Sequence, residues 1–192
     1  MAKLILFNKP YHTLTKFTDN EKRQTLALYI NEKGVYPAGR LDYDSEGLLV
    51  LTDLGWLQAL ISEPKHKLTK TYLVQVEGAI TEDALELLRR GVLLKDGVTK
   101  PAQATPIEEP SLWERTPPVR YRKDIPTSWI RLTIKEGKNR QVRRMTAAVG
   151  FPTLRLVRQK IGPWRLGKLP VGQWVELPCP KTPQEALKLF RK

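Results

Sequence analysis

Two stretches of the sequence alternate apolar and polar residues, and this pattern constrains the fold more than any other feature. In Thr71–Glu77 one face carries Tyr72, Val74 and Val76. In Trp129–Lys135 one face carries Ile130, Leu132 and Ile134. Successive side chains of a strand point to opposite faces of a sheet, so both stretches are predicted to be half-buried β-strands.

Apolar runs and capped amphipathic stretches supply the other predicted elements. Two runs predict buried strands, Lys3–Phe7 and Leu48–Leu51. One helix is predicted between a cap at Asp53 and Pro64, and a second begins at a Thr81 cap and ends at Gly91. The second helix is expected to turn Ala84, Leu85, Leu87 and Leu88 inward. Two more helices are predicted, over Lys138–Val149 and after the Thr182 cap. Strands and helices are intermixed without regular β-α alternation, which indicates an α+β fold.

A proline-rich stretch separates the two alternating strands. Between Pro101 and Pro126 it holds six prolines, at positions 101, 106, 110, 117, 118 and 126. Proline fixes φ and has no N–H donor, so the stretch cannot be regular structure throughout and is expected to be an extended excursion over the surface.

The distribution of charge indicates the class of partner. The net charge is +13, and such an excess usually means a polyanionic partner, either nucleic acid or an anionic membrane surface. Between Arg131 and Lys168 there are eleven lysines and arginines and one acid, Glu136. A solvated face normally mixes both signs. This mostly basic stretch therefore favours an RNA-binding surface over a charged face that only contacts solvent.

The remaining composition excludes several classes of protein. The single cysteine, Cys179, allows no intrachain disulfide and no cysteine-based metal cluster. His12 and His66 have no spacing typical of a zinc site, so no metal is expected. The N-terminus lacks the features of a secretory signal, and no apolar run approaches the roughly 18 residues of a membrane helix. A cytoplasmic location without membrane attachment is expected.

The segment Gly39–Gly47 is the first candidate for chemistry. It holds three carboxylates within five residues, Asp42, Asp44 and Glu46, just before a predicted buried strand. Loops held by rigid strands often carry catalytic groups. Aspartate and glycine also form turns with no further role, and the local pattern alone leaves both interpretations open.

Two further segments are candidates for binding RNA. Lys70-Thr71-Tyr72 begins an alternating strand, where the tyrosine is either a core residue or a base-stacking ring. Glu136–Met145 is predicted to be a turn that leads into a helix with arginines on its polar side. Helix N-termini and arginines both suit phosphate groups.

Taken together and in order, these motifs resemble the RsuA-type pseudouridine synthases. The motifs that carry the resemblance are Asn8-Lys9-Pro10, Gly39-Arg40-Leu41-Asp42, Lys70-Thr71-Tyr72, Glu136–Met145, and Leu154-Arg155-Leu156 with the later Ile161-Gly162. Each motif is weak alone, but the ordered set covers nearly the whole chain. The resemblance implies a mixed, mainly antiparallel sheet with flanking helices and a cleft. It also implies one catalytic domain over residues 1–192 and no separate N-terminal RNA-binding domain. Two lobes around the cleft are one arrangement that the resemblance allows for this domain.

The resemblance also implies roles for individual residues. Asp42 would be the catalytic aspartate, Tyr72 the ring that stacks on the target uracil, and Arg143 the cation that pairs with the aspartate. Contacts with RNA are expected from Lys9, Arg40, Lys138, Asn139, Arg140, Arg144 and Arg155. The expected substrate is ribosomal RNA, in particular 23S RNA, free or in a precursor particle, and the enzyme is expected to be monomeric.

Pseudouridine formation suits these residues. The bond from uracil N1 to ribose C1′ breaks, the base turns, and the bond is remade at C5, so no cofactor is required. An ionised carboxylate can attack covalently or abstract a ribose proton, and both routes stay open. The target must leave its stack, at a cost of about a few kcal/mol, which phosphate contacts would offset.

Two other functions are consistent with parts of the sequence. A non-catalytic RNA-binding or ribosome-assembly protein explains the charge but gives the three clustered acids no role. A metal-dependent nuclease would use those acids for Mg²⁺, which is usually bound by one or two carboxylates and water. In that case Arg40 would compete with the cation.

Overall fold

The computed structural model describes residues 1–66 and 68–192. Over those residues the elements are, in order, β1 (Leu4–Lys9), β2 (Tyr36–Pro37), β3 (Glu46–Thr52), α1 (Gly55–Ser62), β4 (Lys70–Glu77), α2 (Glu82–Arg90), β5 (Leu93–Leu94), β6 (Gly97–Val98), β7 (Gln103–Ile107), β8 (Thr127–Ile134), α3 (Gln141–Ala148), β9 (Thr153–Ile161), β10 (Trp164–Arg165), β11 (Trp174–Leu177) and α4 (Pro183–Phe190). The predicted α+β class is confirmed. No helix in these two ranges is long and apolar enough to cross a membrane.

The chain divides into two compact units, and the first consists of Met1–Leu68 with Arg158–Lys192. Here β1 pairs antiparallel with both β3 and β11, and β2 pairs antiparallel with β3. Every residue of β3 is buried. The core of this unit includes Ile5, Phe7, Leu26, Leu49 and Leu51. The predicted strand Leu48–Leu51 is therefore the centre of a longer buried strand, which carries the preceding acidic loop on a rigid support.

The second unit is Thr69–Val157, and strand β9 crosses the boundary between the two units. In this unit β8 lies between β4 and β7, and both pairings are antiparallel. The predicted inward residues of both alternating stretches are buried in one core: Tyr72, Val74, Val76, Ile130, Leu132 and Ile134. The single-domain organisation inferred from the resemblance stays a prediction.

Helix α2 has the predicted cap but one wrong inward residue. The Thr81 hydroxyl accepts a hydrogen bond from the Ala84 N–H at 3.2 Å, which satisfies one of the free donors of the first turn. Leu85 and Leu88 are buried, whereas Leu87 is 52% exposed. The prediction for Leu87 is wrong because only one stripe of a helix of this length faces the core.

Helix α1 begins differently from the prediction. Leu54, not Asp53, occupies the N-cap position, and no side chain caps the helix. The Asp53 carboxylate instead accepts a hydrogen bond from the Lys3 N–H at 2.8 Å. The aspartate thus satisfies a donor just before β1, a partner 50 residues away that the local sequence does not indicate.

The proline-rich stretch is only partly irregular. Residues Gln103–Ile107 form strand β7, although Pro106 lies within it. Strand β7 is the last in its sheet and pairs with β8 on one side only. A proline is tolerated on such an edge because no neighbouring strand needs its missing N–H. The surface excursion is therefore shorter than predicted and begins after Ile107.

Helix α3 also starts later than predicted, at Gln141 rather than Lys138. Arg140 has φ of 49°, in the left-handed region, so the residue before Gln141 cannot belong to the helix. The Lys138 N–H donates to the Gln141 side-chain oxygen at 3.2 Å, and the Gln141 N–H donates to the Lys138 carbonyl at 3.2 Å. These two bonds close a turn that places Lys138 and Asn139 before the helix.

Candidate functional site

Asp42 lies in the loop between β2 and β3, and the backbone on either side of it is hydrogen-bonded. The Thr15 hydroxyl donates to the Leu41 carbonyl at 2.5 Å and accepts from the Leu41 N–H at 3.2 Å. The Ser45 N–H donates to the Asp42 carbonyl at 3.0 Å and closes a turn. Asp42 itself is half-buried. Its carboxylate is therefore carried by a backbone with little freedom to move.

Tyr43, the residue after Asp42, takes part in a stack of aromatic rings with two residues that follow β1. The His12 ring stacks on Tyr11 at 3.8 Å between centroids and on Tyr43 at 4.7 Å. The Arg23 guanidinium lies over the Tyr43 ring at 6.0 Å from its centroid. The His12 N–H donates to the Tyr43 carbonyl at 2.9 Å. Sequence analysis considered His12 only as a metal ligand and missed this stacking, because the contact with Tyr43 joins distant segments of the chain.

Arg158 is a buried cation that connects the Asp42 loop with strand β3. Its Nε donates to the Leu48 carbonyl at 2.9 Å, and Nη1 donates to the Arg40 carbonyl at 3.3 Å. The side chain is 3% exposed. A Cβ added to Gly47 would lie 2.3 Å from the Arg158 carbonyl oxygen, and Gly47 has φ of +104°. Only glycine fits both this close approach and this backbone conformation.

Lys9, which was predicted to bind RNA, is buried with an exposed fraction of 0%. Its Nζ donates to the carbonyls of Pro10 at 2.8 Å and Thr13 at 2.7 Å. The ammonium group thus holds the chain that follows β1 in a tight turn. A side chain without accessible surface cannot reach a phosphate, so the predicted RNA contact of Lys9 is not retained.

Burial also changes the acid–base chemistry of Lys9. It lowers the pKa of the Lys9 ammonium to about 7, because the charged form loses its hydration. Three carboxylates oppose this shift, with Glu46 first, then Asp44 and Asp42, and Arg158 adds to it. The lysine therefore sits among the charges of the acidic loop and titrates near neutral pH.

Tyr72 lies in strand β4, and its side chain packs into the core of the second unit. It is 8% exposed and belongs to the same apolar cluster as Val74, Ile130 and Leu132. This placement agrees with the core-tyrosine interpretation and leaves only a small accessible area for contact with a base. Its stacking role stays a prediction.

The basic residues around α3 differ in their surroundings. Lys138, Asn139 and Arg140 are exposed, and Arg143 is half-buried. Arg144 makes a two-pronged ion pair with Asp96, with nitrogen–oxygen distances of 2.8 and 3.3 Å. Arg144 is therefore held by a carboxylate on the protein, and sequence analysis missed this partner because it lies 48 residues away.

Arg155 is also not the exposed cation that the sequence predicted. It is 9% exposed, and its Nη2 donates to the Trp113 carbonyl at 2.9 Å. Its guanidinium lies over the Trp113 ring at 5.7 Å from the centroid. Packing against Trp113 in the proline-rich stretch explains this burial, and the predicted RNA contact of Arg155 is not retained.

The three predicted catalytic residues belong to different units of the structure. Asp42 lies in the first unit, and Tyr72 and Arg143 lie in the second. Their assembly into one site stays a prediction. Among residues 1–66 and 68–192, no three His, Cys, Asp or Glu side chains are grouped to hold a metal ion. The acids at positions 42, 44 and 46 therefore do not form such a group.

Comparison with known proteins identifies the family of this chain. Residues 3–148 match the family described as RNA pseudouridylate synthase. The chain belongs to this family. The predicted membership of the RsuA-type pseudouridine synthases is confirmed, and the protein is an isomerase that converts uridine to pseudouridine in RNA.

Individual relatives of this pseudouridine synthase support the assignment over most of its length. Proteins named ribosomal large subunit pseudouridine synthase E share 62% identity in Vibrio vulnificus, over 93% of this chain and 76% of the relative, and 57% in Xanthomonas axonopodis pv. citri, over 86% and 89%. A crystal structure of a pseudouridylate synthase aligns with a TM-score of 0.75 at 31% identity, covering 98% of this chain and 74% of the other. The likeness extends beyond residue 148 and includes β9.

Proposed function

We propose that this protein isomerises a specific uridine of large-subunit ribosomal RNA, with Asp42 as the catalytic residue. The substrate class is supported by the relatives in Vibrio vulnificus and Xanthomonas axonopodis pv. citri, whose names specify the large ribosomal subunit. The proposal extends to 23S RNA, either free or in an assembling particle, and to a monomeric enzyme in the cytoplasm.

The observation that carries the role of Asp42 is the fixed backbone of its loop. Consecutive carbonyls from Arg40 to Tyr43 accept hydrogen bonds, from Arg158, Thr15, Ser45 and His12 in turn. A catalytic group that is already positioned loses little conformational entropy when the substrate binds. Asp42 is half-buried and is held by this backbone before the substrate binds. In this proposal its carboxylate acts on the reacting nucleotide.

The chemistry needs only this carboxylate, a place for the base and a route for one proton. The N1–C1′ bond breaks, the C5–C1′ bond forms, the proton on C5 leaves to solvent, and N1 gains a proton. The roles predicted for Tyr72, as the ring that stacks on the uracil, and for Arg143, as the cation that pairs with the aspartate, remain part of this proposal. Atoms and charges balance without a cofactor.

The exposed cations supply the attraction for RNA. Arg40, Lys138 and Arg140 are exposed cations, and the neutral Asn139 beside Lys138 is also exposed. The contacts with RNA predicted for these four residues are part of this proposal. Arg144 contributes less than Lys138, because its ion pair with Asp96 must weaken before it contacts a phosphate. Phosphate contacts position the substrate but do not select the target uridine.

Release of tritium tests the proposal. Large-subunit RNA labelled with tritium at uracil C5 is incubated with the wild type, Asp42→Asn and Asp44→Asn in a buffer with a chelator and no added cofactor. The wild type should release tritium, Asp42→Asn should release none while binding RNA within a few-fold, and Asp44→Asn should stay active. The asparagine variants are matched, because each removes one charge from the same loop.

The other two functions give different results in the same experiment. A non-catalytic RNA-binding protein would bind the RNA and release no tritium. A metal-dependent nuclease would release no tritium in the chelator and would cut the RNA into fragments once Mg²⁺ is supplied in excess of the chelator. Equal loss of activity in Asp42→Asn and Asp44→Asn would contradict the specific role of Asp42.

A further inference from the structure

Residues Pro117–Pro126 form a surface loop that we name the basic-aromatic loop. It contains the tetrapeptide Arg120-Tyr121-Arg122-Lys123. Tyr121 is 85% exposed. Within the part of the chain that the structure describes, its ring stacks on no other ring and its hydroxyl has no hydrogen bond. Tyr121 is thus an exposed aromatic ring with a cation on either side of it in the sequence, Arg120 and Arg122.

The first end of the basic-aromatic loop is fixed by Arg115. Its Nε donates to the Pro117 carbonyl at 2.9 Å, and Nη2 donates to the Pro118 carbonyl at 3.2 Å. Its Nη1 donates to the Leu154 carbonyl in β9 at 3.2 Å. One guanidinium thus ties the start of the loop to a strand, and the two prolines further restrict its backbone.

The second end is fixed as well. The Gly78 N–H donates to the Pro126 carbonyl at 2.7 Å, and the Ile125 N–H donates to the Arg122 carbonyl at 3.2 Å. Arg122 also lies 3.6 Å from the Glu77 carboxylate at the end of β4. The tetrapeptide is therefore presented by a restrained loop, and a restrained loop loses less entropy when it binds a ligand.

The charges of the loop remain available to a partner. Arg122 has an acidic neighbour in Glu77, but neither Arg120 nor Lys123 forms an ion pair with any residue in 1–66 or 68–192. Asp124 is the only acid in the loop. Two available cations therefore flank one available aromatic ring.

We propose that the basic-aromatic loop binds an unpaired nucleotide of the RNA substrate, with the base on the Tyr121 ring and the adjacent phosphates on Arg120 and Lys123. This inference rests on the proposed function for the identity of the RNA. Unpaired bases stack on exposed aromatic rings whatever their sequence, and cations beside the ring follow the phosphate backbone. An acidic protein would use the two cations but would leave the ring without a role.

Binding of a short fluorescent oligouridylate tests this inference by anisotropy. Tyr121→Ala should weaken binding about tenfold, within the range found when a base-stacking ring is removed. Tyr121→Phe keeps the ring face and should bind within about twofold of the wild type. Tyr36→Ala is the matched control, since Tyr36 is 59% exposed but lies in the other unit, and it should bind like the wild type. Thermal melts check that all three variants are folded.

Polyglutamate provides the second arm, because it is a polyanion without bases. Tyr121→Ala should bind polyglutamate like the wild type, whereas Arg120→Ala and Lys123→Ala should bind both polyglutamate and oligouridylate more weakly. For oligouridylate each cation variant should also reduce the salt slope by about 0.7. The stacking site would be overturned if Tyr121→Ala bound oligouridylate as tightly as the wild type does. It would also be overturned if the variant lost the same affinity for oligouridylate and for polyglutamate. Absence of tritium release by the wild type would overturn the proposed function and leave the oligouridylate result standing.

Discussion

Replacing Lys9 by methionine should change how the stability of the protein depends on pH. The folded chain holds Lys9 with a pKa of about 7, whereas an unfolded lysine titrates at about 10.4. Between these values the unfolded chain binds a proton that the folded chain does not. Stability therefore rises with pH in this window, and the cost of burying the charged lysine is fully present below it.

The size of the effect follows from the number of protons. One proton bound only by the unfolded state gives a slope of about 1.4 kcal/mol per pH unit. Because the folded lysine is still half protonated at about pH 7, the gain from there to about pH 9 is about 2 kcal/mol.

Urea unfolding of the wild type and Lys9→Met across this window measures the difference. Loss of the Lys9 hydrogen bonds lowers the variant's stability by a constant amount, so it shifts the curve without changing the slope. Lys9→Arg should also lose the slope, because a guanidinium keeps its proton. Groups that titrate in both proteins, such as Cys179, cancel in the comparison. Parallel wild-type and Lys9→Met curves would refute the lowered pKa of Lys9.

Three further predictions follow from packing and charge. Tyr72→Ala should lose about 3–5 kcal/mol of stability, and Tyr72→Phe much less, because the ring is part of a core; a melt of Tyr72→Ala like that of the wild type would contradict this. Gly47→Ala should cost more than Gly39→Ala in urea unfolding, since both glycines have positive φ but an added Cβ at Gly39 meets nothing within 4 Å; equal costs would show that the close approach at Gly47 relaxes freely. Lys138→Ala should reduce the salt slope of RNA binding by about 0.9, and Arg144→Ala by less, because Arg144 is paired with Asp96; filter binding over a salt series checks the order, and the reverse order would disprove it.

The strands could be predicted because burial leaves a direct trace in the sequence. The alternation in β4 and β8 identified the inward residues, such as Val74 and Ile130, before their pairing was known. The start of α3 could not be found in this way. It depends on the left-handed conformation of Arg140 and on side-chain hydrogen bonds of Gln141, neither of which changes the apolar pattern.

The charge pattern predicted a partner correctly but assigned too many residues to it. Counting lysines and arginines treats every cation as exposed, yet Arg155 and Arg158 lie in the basic stretch and are buried. Lys9 is buried at the end of β1 in the same way. Each of these side chains donates to backbone carbonyls, and such contacts are made by folding and leave no local signal.

Turn formation and catalysis are not alternatives for the segment Gly39–Gly47. Its glycines have positive φ, as expected of turn residues, and Gly47 lies so close to Arg158 that a side chain would not fit. The same close approach lets Arg158 reach the Arg40 carbonyl, two residues before Asp42. The interactions that make this segment a tight turn thus also fix the position of the carboxylate. The catalytic role proposed for Asp42 requires such a fixed position, because a carboxylate that acts on a flipped nucleotide must meet it in one geometry.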